Sequence, residues 1–94
     1  MFIITLTYQQ PLDKVEQYLP AHRDYLDEHY ASGHFIASGP QEPRIGGVIL
    51  CRAESKAQVI DIIQADPFSL HHIANYEIIE FIPAKYVAGF DAFI

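Results

Sequence analysis

Four short stretches of the chain are rich in β-branched and aromatic residues and are bounded by glycine or proline. Such runs are typical of buried strands, because Gly and Pro end a strand and start a turn. The pattern therefore predicts four strands, at Phe2–Tyr8, Phe35–Ala37, Val48–Cys51 and Tyr76–Ile82. The second and third are close enough in sequence to form a hairpin, with Ser38-Gly39-Pro40 as the turn that ends the second strand.

Between the first two strands the apolar residues follow a helical period. They recur at intervals of four and seven residues from Asp13 to Ala31, which places them along one face of a helix. Pro20 interrupts this run, so we expect either a kink or two short helices. Gly33 is suited to a left-handed cap at the helix end. The apolar stripe consists of Val15, Leu19, Leu26 and Tyr30.

A second helical pattern follows the third strand. Ser55 is a suitable N-cap, and the helix is expected to end near Asp66-Pro67. A short turn, Phe68 to Ile73, then leads into the last strand. The inner face of this helix is predicted to consist of Val59, Ile60, Ile62 and Ile63.

The resulting order of elements, β-α-β-β-α-β, predicts an α+β fold. In the ferredoxin-like version of this pattern, a four-stranded antiparallel sheet carries both helices on one face. The other face would leave apolar side chains in water, and residues 84–94 add further apolar atoms. We therefore expect a domain over residues 1–83 that forms a homodimer, or a higher oligomer, sheet against sheet. The apolar tail at 84–94 is expected to pack on the partner subunit.

Composition limits the classes of partner. The 94 residues make one domain, half of it apolar, and six basic against twelve acidic residues give a net charge of −6. This charge opposes binding to nucleic acid and to anionic membranes. No apolar stretch approaches the roughly 20 residues needed to span a bilayer. Cys51 has no second cysteine to pair with, and it is predicted to be a buried core thiol. The N-terminus lacks the basic segment of a signal peptide. For both reasons we expect a cytoplasmic protein.

His22 is the first residue with candidate chemistry. It lies three residues after Leu19 and four before Leu26, so its ring shares the apolar stripe, whereas the charged residues around it, Arg23 among them, face mostly outward. An imidazole in a partly dry pocket can act as a general acid or base. A core histidine that binds a backbone carbonyl is the alternative interpretation.

Asp66 is the second candidate. Because it precedes Pro67, it is well placed to cap a short helical turn, and this role alone would explain it. A carboxylate at such a junction can also orient an imidazole and stabilise its cationic form. The two roles are compatible.

Several further residues are candidates for binding a substrate. Ser38 and Gly39 end the second strand, where glycine allows close approach of a ligand, although a plain turn would also explain them. Tyr8 and Tyr25 could line the same cavity or form the edge of the core. The five histidines have no metal-ligand spacing, and neither a phosphate-binding glycine loop nor a nucleophile elbow occurs, so we expect no metal and no cofactor.

A set of short motifs, in order and at characteristic spacings, carries a resemblance to a known family. They are an N-terminal strand, Ala21-His22-Arg23-Asp24-Tyr25-Leu26, Ser38-Gly39-Pro40 and Ala65-Asp66-Pro67-Phe68. Over nearly its whole length the chain resembles the YCII-like (YciI-like) proteins. The resemblance implies a ferredoxin-like fold that dimerises through its sheets into an α+β barrel, and a His/Asp pair in a pocket, carried here by His22 and Asp66. It also implies cofactor-free proton transfer and elimination, as in a dehydrochlorinase of a chlorinated hydroxyhydroquinone.

The leading functional hypothesis is therefore a cofactor-independent lyase or isomerase acting on a small cyclic or aromatic oxygenated molecule. His22 would move the proton, Asp66 would orient and stabilise the imidazolium, and Ser38 or a nearby amide would bind a substrate oxygen. The substrate contacts would come from Ser38, Gly39, Tyr8, Tyr25 and Phe68. The alternatives are a dimeric domain that binds a small molecule without turnover, and a structural subunit of an oligomer.

Overall fold

The computed structural model describes residues 1–94 and contains four strands and three helices. They follow the predicted order, with one additional short helix before the last strand and a 3₁₀ turn at Phe90–Phe93 in the tail. The strands are β1 (Phe2–Tyr8), β2 (Phe35–Pro40), β3 (Gly46–Cys51) and β4 (Ala74–Glu80), and the helices are α1 (Leu12–Ser32), α2 (Lys56–Gln64) and α3 (Pro67–Leu70).

The four strands form one antiparallel sheet in the order β2-β3-β1-β4. The two central strands β1 and β3 pair from Phe2 opposite Cys51 to Thr7 opposite Gly46, and β4 pairs along the other side of β1. This is the order of a ferredoxin-like sheet, so the predicted α+β class is confirmed.

One face of the sheet carries the hydrophobic core. Alternate residues of β1 are fully buried there, and the inner residues of the three helices pack against them. Burial raises the pKa of the Cys51 thiol in this core to about 11, so the thiol stays protonated. The largest fully buried side chains are Phe2, Ile4, Val15, Val59, Phe68 and Ile73.

The opposite face of the sheet also presents apolar side chains. Ile3 of β1 lies between Leu50 of β3 and Ile79 of β4 in the strand register, so the three share this face. Ile79 is 53% exposed and Val48 37%. A sheet face that is exposed to water usually carries polar side chains, whereas these two residues are large and apolar.

Helix α1 differs from expectation at two positions. It runs through Pro20 as one helix, so of the two expected alternatives, a kink or two short helices, the second is wrong. Pro20 is exposed, so the carbonyl that proline leaves without a donor lies on the water side of the helix. Tyr30 is 38% exposed rather than inward, and its hydroxyl shares a hydrogen bond with Ser38 instead. The left-handed cap at Gly33 is confirmed, with φ of 85°.

Three strands and one helix face also depart from prediction. Strand β3 begins at Gly46, two residues before the predicted start at Val48. Ser38-Gly39-Pro40 is the end of β2, paired with β3 from Ile49 to Gly47, and is not a turn. Strand β4 begins and ends two residues earlier than predicted, because its partner β1 supplies seven residues, from Tyr8 opposite Ala74 to Phe2 opposite Glu80. On α2, Ile60 is 41% exposed, whereas the N-cap at Ser55 is confirmed by its hydrogen bond from the Gln58 amide.

The tail beyond β4 is mostly exposed. Its contact with the body of the domain includes a hydrogen bond from the Arg52 guanidinium to the Ala92 carbonyl, 3.4 Å. Tyr86, Val87 and Ile94 are each about half exposed or more. None of the helices combines the length and the apolar composition that crossing a membrane would require.

Candidate active site

The fold brings His22 and Asp66 into direct contact, although they are 44 residues apart in sequence. The Nδ1 atom of His22, on α1, lies 2.8 Å from Oδ1 of Asp66, at the start of α3. His22 is 8% exposed and Asp66 is completely buried. A pair this close and this dry is held in one orientation.

The local sequence around Asp66 explains its position. The residue has extended backbone angles, Pro67 occupies the first helical position, and Oδ1 accepts a hydrogen bond from the Phe68 amide at 3.0 Å. Asp66 is therefore the N-cap of α3, as its Asp-Pro sequence predicts. The same oxygen faces His22, so capping and contact with the imidazole coexist.

A third donor completes the carboxylate's environment. The Tyr76 hydroxyl, on β4, donates to Asp66 Oδ2 at 2.6 Å. Burial, with Asp66 close by, raises the pKa of Tyr76 far above its usual range, so the phenol keeps its proton. Three donors around one carboxyl group suit the ionised form, which only accepts hydrogen bonds.

The two nitrogens of His22 have different environments. Nδ1 donates to Asp66, whereas Nε2 has no hydrogen-bond partner in the protein. The ring stacks almost parallel on Phe68, with centroids 4.0 Å apart and an interplanar angle of 3°. In a neutral ring with its proton on Nδ1, Nε2 carries the free lone pair.

His22 lines a cavity of about 470 Å³ between α1 and the β2–β3 end of the sheet. This volume is in the range of small-molecule sites. Of the predicted substrate contacts, Ser38, Gly39, Tyr8 and Phe68 all line it. The apolar part of the wall includes Leu6, Leu19, Leu26 and Ile49.

Tyr25 is the predicted contact that the structure does not bring to the cavity. Its side chain is buried, and its hydroxyl donates to the Ile62 carbonyl at 2.9 Å. The residue lies one turn from His22 toward α2, so it joins the two helices inside the core and does not face a ligand. Burial raises its pKa well above the usual range of tyrosine.

Charged side chains at the cavity were not expected from the sequence. Arg23, placed outward by periodicity, lines the cavity as well as being exposed. Arg44, in the β2–β3 loop, donates to Glu16 of α1 across the cavity at 3.2 Å. No cluster of three or more His, Cys, Asp or Glu side chains could hold a metal ion.

Comparison with known proteins assigns the chain to a family. The YCII-related domain family matches residues 1–82, most of the chain. The chain belongs to this family. No curated protein matches it.

One solved structure has the same fold as this YCII-related domain. It is the 5-chloro-2-hydroxyhydroquinone dehydrochlorinase of Burkholderia phenoliruptrix AC1100, in complex with 2,5-dihydroxybenzoquinone. The two share 19% identity with a TM-score of 0.73, over 87% of this chain and 94% of that chain. At this identity the likeness concerns the fold.

Sequence reasoning missed four residues of the site in this YCII-related domain: Tyr76, Arg23, Arg44 and Glu16. Tyr76 could have been found from β-strand alternation, because it shares the inward face of β4 with Ala74 and Ile78. Arg44 and Glu16 carried no local signal, since their contact depends on how the β2–β3 loop folds over α1.

Proposed function

We propose that this protein is a cofactor-independent lyase or isomerase in which His22 transfers a proton. The observation that carries the proposal is the asymmetric imidazole: Nδ1 is bound to the buried Asp66, Nε2 has no partner in the protein, and His22 lines a cavity. A base needs both a free lone pair and a group that stabilises the proton it receives. The pair supplies both.

In the proposed reaction, Nε2 of His22 takes a proton from a carbon of the substrate. The electron pair left on that carbon forms a double bond as a leaving group departs, or returns to another carbon together with the same proton. The first course is an elimination and the second an isomerisation. Asp66 stabilises the imidazolium in either case, because a negative charge at 2.8 Å favours the protonated ring.

The volume and the lining of the cavity suit a small cyclic or aromatic substrate that carries oxygen. Its volume accommodates a single ring with substituents, and its wall is largely apolar. The Ser38 hydroxyl, hydrogen-bonded to Tyr30 at 2.6 Å, is available at the wall as a partner for a substrate oxygen. The dehydrochlorinase with the same fold acts on a ring of this type.

We also propose that two copies assemble through the uncovered face of the sheet. The face carries Ile3, Leu50 and Ile79 in register, and a contiguous apolar patch on a sheet face is typical of a surface that a partner covers. The tail, residues 84–94, would pack on the partner subunit, since its own side chains are largely exposed.

Proton transfer is tested by nuclear magnetic resonance on deuterated carbon acids. The panel contains small cyclic diketones and quinols, with 5-chloro-2-hydroxyhydroquinone assayed in parallel for chloride release. We expect the wild-type protein to accelerate one of these reactions. His22→Gln should abolish the acceleration, because glutamine has no basic nitrogen, and His71→Gln, at an exposed histidine outside the cavity, should not.

A non-catalytic binding domain gives a different result in the same assay. Such a domain would bind members of the panel without exchanging their protons, and His22→Gln would weaken affinity alone. Binding without exchange across the panel would contradict the proposed reaction.

A further inference from the structure

Positive charge is scarce in this protein, and a third of it lies at the cavity. The chain has six Lys and Arg residues and a net charge of −6. Two of the six, Arg23 and Arg44, line the same cavity as His22. An acidic surface with a local cluster of cations favours entry of an anion at that point.

The two arginines differ in whether they already have an ion-pair partner in the protein. Arg44 is paired with Glu16 at 3.2 Å, and both side chains are well exposed, at 39% and 61%. Arg23 forms no ion pair; the protein contains only those of Arg44 with Glu16 and His22 with Asp66. The cavity therefore has one guanidinium available to a ligand and a second that is partly neutralised.

The charge balance indicates which anion fits. Arg23, Arg44 and Glu16 together carry a single net positive charge, which matches a monoanion and is a poor match for a phosphate dianion. A guanidinium presents parallel N–H donors that suit the two oxygens of a carboxylate. The rest of the wall is largely apolar, so the remainder of the ligand is expected to be a hydrocarbon or aromatic ring.

We propose that the substrate of this site carries a carboxylate, which Arg23 binds with the help of Arg44 while the ring reaches His22. This inference rests on the proposed function of His22. It adds the substrate class, a small cyclic carboxylic acid. Glu16 holds Arg44 across the cavity, so that the loop between β2 and β3 stays in contact with α1.

Titration calorimetry with benzoate and benzamide tests the assignment, because the two probes have nearly the same size and differ in charge. We expect the wild-type protein to bind benzoate about ten-fold more tightly than benzamide, the value of one charge-assisted hydrogen bond. Arg23→Gln should remove this preference, and Arg44→Gln should reduce it. Arg52→Gln is the matched control, since Arg52 lies outside the cavity and should leave both affinities unchanged.

Three results would overturn the proposal: equal affinity for the two probes, no binding of benzoate, or a preference for benzoate that survives Arg23→Gln. Inorganic phosphate serves as a competitor, and displacement of benzoate by equal concentrations of phosphate would also contradict a carboxylate site. Binding is measured without turnover, so failure here is distinct from failure of the His22 reaction, which the exchange assay reports by itself.

Discussion

Asp66 combines two roles at the scale of a single residue. One oxygen accepts from both the Phe68 amide and His22, and the other accepts from Tyr76. The Asp-Pro sequence predicts the cap, and helical periodicity predicts that His22 points inward. Neither local pattern predicts that the two meet, because this contact depends on the packing of α3 against α1.

Substitution of Asp66 separates the two roles. Asparagine caps a helix as well as aspartate, and its carbonyl oxygen can accept from the Phe68 amide and from His22. Its amide nitrogen must donate to the Tyr76 hydroxyl, because it cannot accept from it, so Asp66→Asn should keep most of the wild-type stability. It removes the charge that stabilises the imidazolium, so the rate of carbon proton exchange should fall at least about 100-fold. Exchange kinetics and thermal melts measure the two effects.

Asp66→Ala is the companion variant. It leaves three buried donors without an acceptor and should cost about 3 kcal/mol of unfolding free energy. Chemical denaturation measures this loss.

An Asp66→Asn protein with wild-type exchange rates would show that the charge has no part in the reaction.

At the scale of elements, the sequence predicts whether a segment is a helix or a strand better than it predicts the first and last residues of that segment. The strand Phe2–Tyr8 is correct to the residue, because a clear β-branched run is bounded by polar residues and a proline. Strand β2 is longer than predicted, since Ser38-Gly39-Pro40 pairs with β3, and pairing partners are set by the sheet and not by local preference. The two ends of β4 are likewise set by β1.

Gly46 provides a test of packing between elements. A Cβ atom at this residue would lie 1.7 Å from the Leu6 carbonyl oxygen, so the start of β3 would have to move away from β1. Gly46→Ala should therefore lower the free energy of unfolding by at least about 2 kcal/mol and the melting temperature by roughly 10 °C.

Gly39→Ala is the matched control, because a Cβ at Gly39 meets no atom within 4 Å. This variant should unfold within about 0.5 kcal/mol of wild type. Equal melting temperatures for the two variants would contradict the close approach of β1 and β3.

At the scale of the whole molecule, the proposed dimer depends on the apolar sheet face. A charge on this face would be buried in the dimer without a partner, so Ile79→Lys should convert the dimer to a monomer in light-scattering measurements. Asn75→Lys, on the same strand and the same face but at its polar end, should remain dimeric. A wild-type protein that is monomeric at all concentrations would contradict the proposed assembly.

Stability should decline at alkaline pH. The folded-state pKa values of Tyr25 and Tyr76 are raised by burial, so both phenols ionise more readily in the unfolded chain. Their contribution is complete below about pH 10, the ordinary tyrosine value, and is lost as the pH rises further, at about 1.4 kcal/mol per pH unit for each. The Cys51 thiol, with its pKa of about 11, acts in the same direction.

Urea unfolding between neutral pH and pH 11 measures this decline. Tyr76→Phe removes one of the contributing groups, so the free energy of unfolding should fall less steeply with pH in this variant. A slope that Tyr76→Phe leaves unchanged would mean that the phenol ionises equally in the folded and unfolded chain.

The central claim is that Asp66 fixes His22 so that Nε2 presents a lone pair to the cavity. A long-range proton–nitrogen correlation spectrum of the free protein, recorded at a pH where the ring is neutral, reports the position of the ring proton directly. The structure predicts a proton on Nδ1 and none on Nε2, and a shift of this pattern in Asp66→Asn. A proton on Nε2 in the wild-type protein would contradict the claim, because the nitrogen at the cavity would then have no lone pair to accept a substrate proton.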